Sequence, residues 1–430
     1  DINAIYGGAR KVFRIIGFII LGIIFLVTLG LHLFYNFEEG YKVSALICFF
    51  IISTSYLISY FGKGQTYMAV LSAAQEKYVY SLIFNGVKLL CDILIVVVTI
   101  KFKTLESIAI VILAMKILEE IINRIVVKKK YPELHEIARK DTSMVKMTKD
   151  LAWTQLGYLI LNNVDALLLM GFNGPVMVSI YTTYNYILRF LTEIASRVEL
   201  SSVYSFGNVF AKKEEKRVYP LFKEYMMMFI LIAFSMCLTF MIGIRGFVSV
   251  WVGKENYILD YITIVLFTST SFLNILYFPL VALINADGLF KDNKKHIFIC
   301  ASVNLILSII LINYLGINGI LLGTGVAFLV NIALKSNLIS KKITKEIKLS
   351  NILKYYIITI ILFVVLSVAL KPVENYFLLT AGGFITTILK LGIIFIIITL
   401  LTSLILYVVS NDAKNLFRRL LNLIKRKLKK

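Results

Sequence analysis

The chain has 430 residues, 59% of them hydrophobic and 17% charged, with a formal net charge of +21 and a mean hydropathy of +0.84. A water-soluble chain of this length needs far more polar residues to cover its surface, so that class is excluded. In a soluble protein this charge would point to nucleic acid; in a chain this apolar it reports which side of a membrane each loop occupies, and no nucleic-acid partner is expected.

Apolar runs of about 20 residues recur along the sequence, the length that the hydrocarbon core of a bilayer sets for a helix. Backbone groups have no water to bond there, so helices carry these runs. About 12 spans are predicted, near 13–35, 43–61, 79–100, 105–127, 151–171, 177–199, 224–244, 258–281, 296–314, 317–338, 353–371 and 386–409. The fourth and sixth are the least hydrophobic. Alternation from a cytoplasmic N-terminus gathers Arg10, Lys11, Arg14, Lys128-Lys129-Lys130, Lys212-Lys213, Lys294-Lys295, Lys341-Lys342 and the tail on one side. That side holds about 35 of the 46 basic residues and the opposite loops about six. The bias predicts a multi-pass protein of the cytoplasmic membrane with both ends of this chain inside.

Several spans carry polar groups, which are costly at mid-bilayer and turn toward a cavity or toward each other. In the third and fourth spans Lys88 and Asp92 lie one turn apart, as do Lys116 and Glu120, with Glu119 adjacent. The two helices run antiparallel, which predicts cross-pairing between Lys88 and Glu119 or Glu120, and between Asp92 and Lys116. The fifth span holds Gln155, Asn162, Asn163 and Asp165. In the sixth, Asn185, Arg189, Glu193 and Arg197 recur every four residues and share one helical face. A stripe this long cannot face lipid. Arg189 lies near its middle, and a guanidinium that stays charged and donates two parallel bonds suits a pyrophosphate. A ladder with both arginines bound to Glu193 is the structural alternative. Lys390 is a further basic residue inside the twelfth span. Candidate substrate-binding residues are therefore Arg189, Asn185, Lys88, Arg197 and Lys390, and candidate ion-coupling groups are Asp92, Glu120, Asp165 and Glu193.

Cys48, Cys91, Cys237 and Cys300 each sit in an apolar run without metal spacing. Three scattered histidines add no constellation, so no metal or other cofactor is expected. The segment 411–430 sets Leu416, Phe417, Leu420, Leu421, Ile424 and Leu428 on one stripe among seven lysines and arginines, starting at Arg418. Such a helix lies in the inner interface and attracts anionic lipid.

An internal repeat organises the spans. Ser53-Thr54-Ser55-Tyr56-Leu57 is echoed by Ser269-Thr270-Ser271-Phe272-Leu273, and Tyr60-Phe61 by Tyr277-Phe278. Ser72-Ala73-Ala74-Gln75 is echoed by Asn285-Ala286-Asp287-Gly288, and Asn85 by Asn304. The matched spans are six apart, so the copies run parallel about an axis along the membrane normal. The predicted fold is an all-α integral membrane protein: two lobes of parallel six-helix repeats plus two C-terminal helices. Residues 1–130 form the first lobe with four helices remaining, 131–340 the second with six, 341–410 the added pair and 411–430 the basic tail. The first two of 14 helices are expected to be missing ahead of Asp1.

Three segments carry a family resemblance: the opening Ile2-Asn3-Ala4-Ile5-Tyr6-Gly7-Gly8-Ala9-Arg10-Lys11, then Asn162-Asn163-Val164-Asp165 with the turn and tyrosine-rich helix after it, and Asn304 with Gly316-Ile317-Asn318-Gly319. With the six-plus-six-plus-two order of spans they resemble the polysaccharide flippases of the multidrug/oligosaccharidyl-lipid/polysaccharide exporter superfamily. The resemblance implies export of an undecaprenyl-pyrophosphate-linked oligosaccharide by alternating access, with the lipid bilayer and polysaccharide assembly proteins as further partners. Two other functions stay open. An organic-cation exporter of the same superfamily would favour carboxylates and rings over basic residues in its cavity. A polysaccharide-synthesis enzyme of the membrane would need a large outer loop or a nucleotide-sugar domain, and none is visible.

Overall fold

A computed structural model describes residues 2–34, 40–74, 76–135, 143–343, 349–380 and 382–428, with side chains for all of these except 2, 34, 77, 143–156, 160, 162, 215 and 420–428. The side chains of Gln155, Asn162 and the lower half of the tail helix, for which polar or amphipathic roles were expected, lie outside the described residues. Among the described residues the regular elements are helices, with no strand. Among the described residues ten helical stretches, two of them made of a pair of adjoining helices, are long and apolar enough to cross a membrane. The protein is an all-α multi-pass membrane protein. The fourth expected span is a helix but is not among the ten, because Lys116, Glu119 and Glu120 interrupt its apolar run. The fifth and sixth lie within one helical run. The chain divides into two compact units, Asp1–Lys149 and Asp150–Lys430.

The first unit contains α1 (Ile2–Phe34), α2 (Lys42–Ser55), α3 (Ile58–Phe61), α4 (Gly64–Ala73), α5 (Lys77–Phe102) and α6 (Leu105–Lys130). The second expected span is thus broken at Tyr56–Leu57 and ends where Gly62 leaves the helical region. A side chain at Gly62 or Gly64 would strike the Glu120 carboxylate, at 2.4 and 2.6 Å from its oxygens, so the two glycines let α6 approach the break. Phe18 packs edge-on against Phe61 at 5.0 Å, fixing α1 to α3. Tyr6, Tyr67, Leu71 and Val127 form a small buried cluster. At the basic end of α6, Lys130 bonds Glu76 at 2.8 Å and the Tyr131 hydroxyl donates to the same carboxylate at 2.6 Å. These two bonds hold the Glu76 carboxyl below its ordinary value, and Glu76 in turn raises Lys130.

The second unit begins within α7 (Ser143–Ala211), followed by α8 (Glu215–Trp251), α9 (Tyr261–Leu276), α10 (Phe278–Asp287), α11 (Phe290–Leu315) and α12 (Ile317–Lys342). It closes with α13 (Leu349–Ala369), α14 (Lys371–Leu379), α15 (Phe384–Val409) and α16 (Asn411–Leu428). The run called α7 is two helices: Gly174 takes φ 79° and ψ 179°, and Pro175 follows. That backbone is open almost solely to glycine. Burial is concentrated on α8, α9 and α10, whereas α15 is exposed nearly throughout. Phe272 of α9 stacks on Phe363 of α13 at 4.0 Å. Arg245 of α8 reaches the buried Glu374 of α14 at 3.2 Å; burial pushes the Glu374 carboxyl up despite this partner. α16 is tied to α8 twice, by Lys223–Asp412 at 2.9 Å and Arg419–Glu224 at 3.0 Å.

Candidate functional site

The break at Gly174 folds α7 back on itself, so residues before and after it face each other inside the second unit. The Tyr181 hydroxyl donates to Asp165 Oδ2 at 3.1 Å, and Arg189 Nη2 donates to Asn163 Oδ1 at 3.1 Å. Beside them opens a pocket of about 60 Å³, lined among others by Asp165, Asn185, Arg189, Thr192, Asn274 and Thr324. Three sequence-predicted site residues, Arg189, Asn185 and Asp165, therefore line one pocket. The α9 wall is set by Asp260 at its start, which accepts from the Thr263 amide at 3.2 Å and from its hydroxyl at 2.5 Å. Partial burial pushes the Asp260 carboxyl up, but these bonds outweigh it and leave the carboxyl below its ordinary value.

The pocket floor is a cluster of oxygens. Asp165 is 5% exposed. Thr324 Oγ1 lies 3.1 and 3.0 Å from the two Asp165 oxygens and 3.2 Å from Asn304 Oδ1. Ser308 donates to the same Asn304 oxygen at 2.9 Å, and the Asn304 amide donates to the Leu161 carbonyl. A hydroxyl has one hydrogen to give, yet Thr324 meets three acceptors. Tyr181 and Ser308 supply the other two hydroxyls, so each of the three acceptor oxygens has a donor facing it, and the Asp165 carboxylate keeps further lone pairs that can take a proton or a small cation. Among the described residues no three His, Cys, Asp or Glu side chains gather. One carboxylate with neutral oxygens suits a monovalent ion better than a divalent or transition metal.

The remaining candidates are placed elsewhere. Arg197 pairs with Glu193 at 2.6 Å and both are exposed, so the lower half of the stripe neutralises itself. Lys390, on α15, donates to the Thr380 carbonyl and is not among the pocket residues. In the first unit Lys88 and Lys116 pair within their own helices rather than across them as expected. Lys88 bonds Asp92 at 3.1 Å and Lys116 bonds Glu119 at 2.8 Å. Both Glu120 oxygens accept backbone amides at the start of α4, from Lys63 at 2.5 Å and Gly64 at 3.0 Å. Sequence reasoning did not mark Tyr181, Ser308 or Thr324 as part of a site. It marked Thr270 and Ser271 only as repeat positions, and Asn304 as a repeat position and part of the family resemblance. It also passed over Lys335, which is fully buried and donates to Asn293 at 2.6 Å.

No family model and no curated protein sequence matches this chain. Solved structures do. A lipid II flippase, MurJ, in an inward closed conformation is similar with a TM-score of 0.65 and 14% identity, over 94% of this chain and 84% of the other. A MATE transporter of Vibrio cholerae is similar with a TM-score of 0.51 and 14% identity, over 79% and 80%. The chain has the fold of these two proteins. At such identity the likeness lies in the path of the backbone, and the chemistry rests on the pocket of the second unit.

Proposed function

We propose that the chain is a flippase for a lipid-linked oligosaccharide, carrying an undecaprenyl-pyrophosphate-linked sugar outward across the cytoplasmic membrane by alternating access. The observation that carries this reading is Arg189. It is an exposed guanidinium at a polar pocket, in the middle of a helix that otherwise crosses apolar surroundings. A permanently charged, bidentate donor held at mid-membrane suits a pyrophosphate and disfavours an organic cation. Asn185 and Thr192 on the same face add neutral donors for sugar hydroxyls. Beneath them Asp165, Asn304 and Thr324 hold the coupling proton or monovalent cation. The ion and the pyrophosphate have opposite charge, so occupancy of one site changes affinity at the other and biases the exchange between inward- and outward-open states. The prenyl tail stays in lipid.

The test is Arg189→Ala and Arg189→Lys, scored for surface polysaccharide at matched protein level in the membrane. With the pyrophosphate bound, Arg189 becomes one partner of a desolvated charge pair, and truncating such a partner costs about 2–5 kcal/mol, so Arg189→Ala is expected to lower export at least tenfold. Lysine keeps the charge but not the fork and should fall between. Normal export by Arg189→Ala at normal abundance would remove Arg189 from the pathway.

A further inference from the structure

The first unit contains a second pocket whose chemistry is opposite to that around Arg189. Its volume is about 250 Å³, and it is lined by Tyr56, Tyr60, Tyr80, Phe84, Lys116 and Glu119, with Glu120 at one edge. The Lys116 ammonium stands 5.1 Å from the centroid of Tyr56 and 5.1 Å from that of Phe84. Electron-rich faces of this kind attract cations, and rings arranged around a point recognise alkylammonium groups. The lysine therefore acts as a tethered occupant and marks what the rings bind.

We infer that this pocket is a binding site for a small organic ammonium group, partly filled by the side chain of Lys116. Three features support it. Two carboxylates line the pocket against one ammonium, and Glu120 is held by the backbone amides of Lys63 and Gly64 rather than by a second cation. Arg124, one turn beyond Glu120, acts on that carboxylate through its charge, but it is exposed and does not line the pocket. The lining itself therefore carries one carboxylate more than its ammonium, which favours a monocation over an anion or a neutral guest. The walls are also preorganised. Tyr80 and Phe84 stack at 6.3 Å with their planes 14° apart, and the Glu120 bonds fix the break between α3 and α4 on the opposite side. Finally, displacing Lys116 requires no helix to move: its carboxylate partner Glu119 is on its own helix, and its ammonium is carried on four methylenes.

The test uses the full chain in lipid nanodiscs and isothermal titration with choline, alongside its neutral isostere 3,3-dimethylbutan-1-ol. The wild-type protein is expected to bind choline at least tenfold more tightly than the isostere. Phe84→Leu and Tyr56→Leu should each weaken choline at least fivefold. Lys116→Met, which removes the tethered competitor while keeping its bulk, should strengthen it. Equal affinity for choline and the isostere would reduce the site to an apolar cavity and overturn the inference, as would undiminished binding by Phe84→Leu. A wild-type protein that takes no choline also overturns it, whether or not Lys116→Met folds. The readout is binding rather than export, so its failure leaves the reading of Arg189 standing.

Discussion

At the scale of single residues, the charged members of the second-unit pocket were legible in the sequence and the hydroxyls were not. Arg189, Asn185 and Asp165 stand out because an ionised or amide group in an apolar run needs a reason to be there. A threonine does not, because its hydroxyl can turn back to a carbonyl one turn earlier. Thr268 and Ser269 do this, bonding the Ile264 and Val265 carbonyls. Thr324 differs only in that its hydroxyl points at Asp165 and Asn304, which no local pattern reveals. Lys335 was hidden for a related reason. Its place near the end of α12 reads as a lysine reaching for water, whereas the structure turns it inward to Asn293. The hydroxyl shared across the floor gives a direct prediction. Thr324→Val keeps the shape but removes the hydroxyl shared by Asp165 and Asn304; Tyr181 and Ser308 still donate to them, so the loss is that of one hydrogen bond, about 0.5–1.5 kcal/mol. Thermal unfolding in detergent should fall for Thr324→Val and recover for Thr324→Ser. If valine matches the wild type, the floor is not held by this hydroxyl.

At the scale of elements, the sequence located the helices better than their breaks. Span length is an average over many residues, so it survives local error. A break depends on one or two residues and on what packs beside them. Asn173-Gly174-Pro175 was visible as a turn because glycine and proline act on the backbone directly. The interruption at Tyr56–Leu57 was not, since neither residue disfavours a helix; what ends that helix is Gly62 against a carboxylate from α6, 58 residues later. The pairing of charges failed similarly. Helical depth alone put Lys88 near Glu119 or Glu120, but each lysine found a carboxylate within its own helix first, at spacings of four and three residues. The turn at Gly174 is the element on which the pocket depends, because it alone sets Asp165 beside Tyr181. Gly174→Ala forces a side chain into a region that costs about 1–3 kcal/mol. It should lower stability by that amount and export by more, since the two arms must shift for the strain to relax. A cysteine pair placed across the arms, read by cross-linking yield in wild type and variant, checks this. An unchanged yield with unchanged export would show that the turn tolerates the side chain.

At the scale of the whole molecule, the repeat and the basic bias concern orientation, and orientation decides how the membrane field acts on transport. On the reading proposed here, the pyrophosphate crosses from the cytoplasmic side outward carrying negative charge, while the site at Asp165 passes a proton or monovalent cation. An inside-negative potential pushes an anion outward and draws a cation inward, and each elementary charge moved across 100 mV contributes about 2.3 kcal/mol. Both movements therefore run with the field. Neutral or cationic cargo exported alone would feel no such push or would be opposed by it. In proteoliposomes with the chain inserted in one direction, an inside-negative potassium diffusion potential should speed outward flipping of a fluorescent prenyl-pyrophosphate sugar severalfold. Reversing the potential should slow it by a similar factor. Asp165→Asn should retain the part of this response that belongs to the substrate and lose the part that belongs to the ion, so its dependence on voltage becomes shallower without vanishing. Flipping that ignores the potential in the wild type would mean that no net charge crosses with the substrate, and the anionic lipid-linked sugar would then have to give way to another cargo.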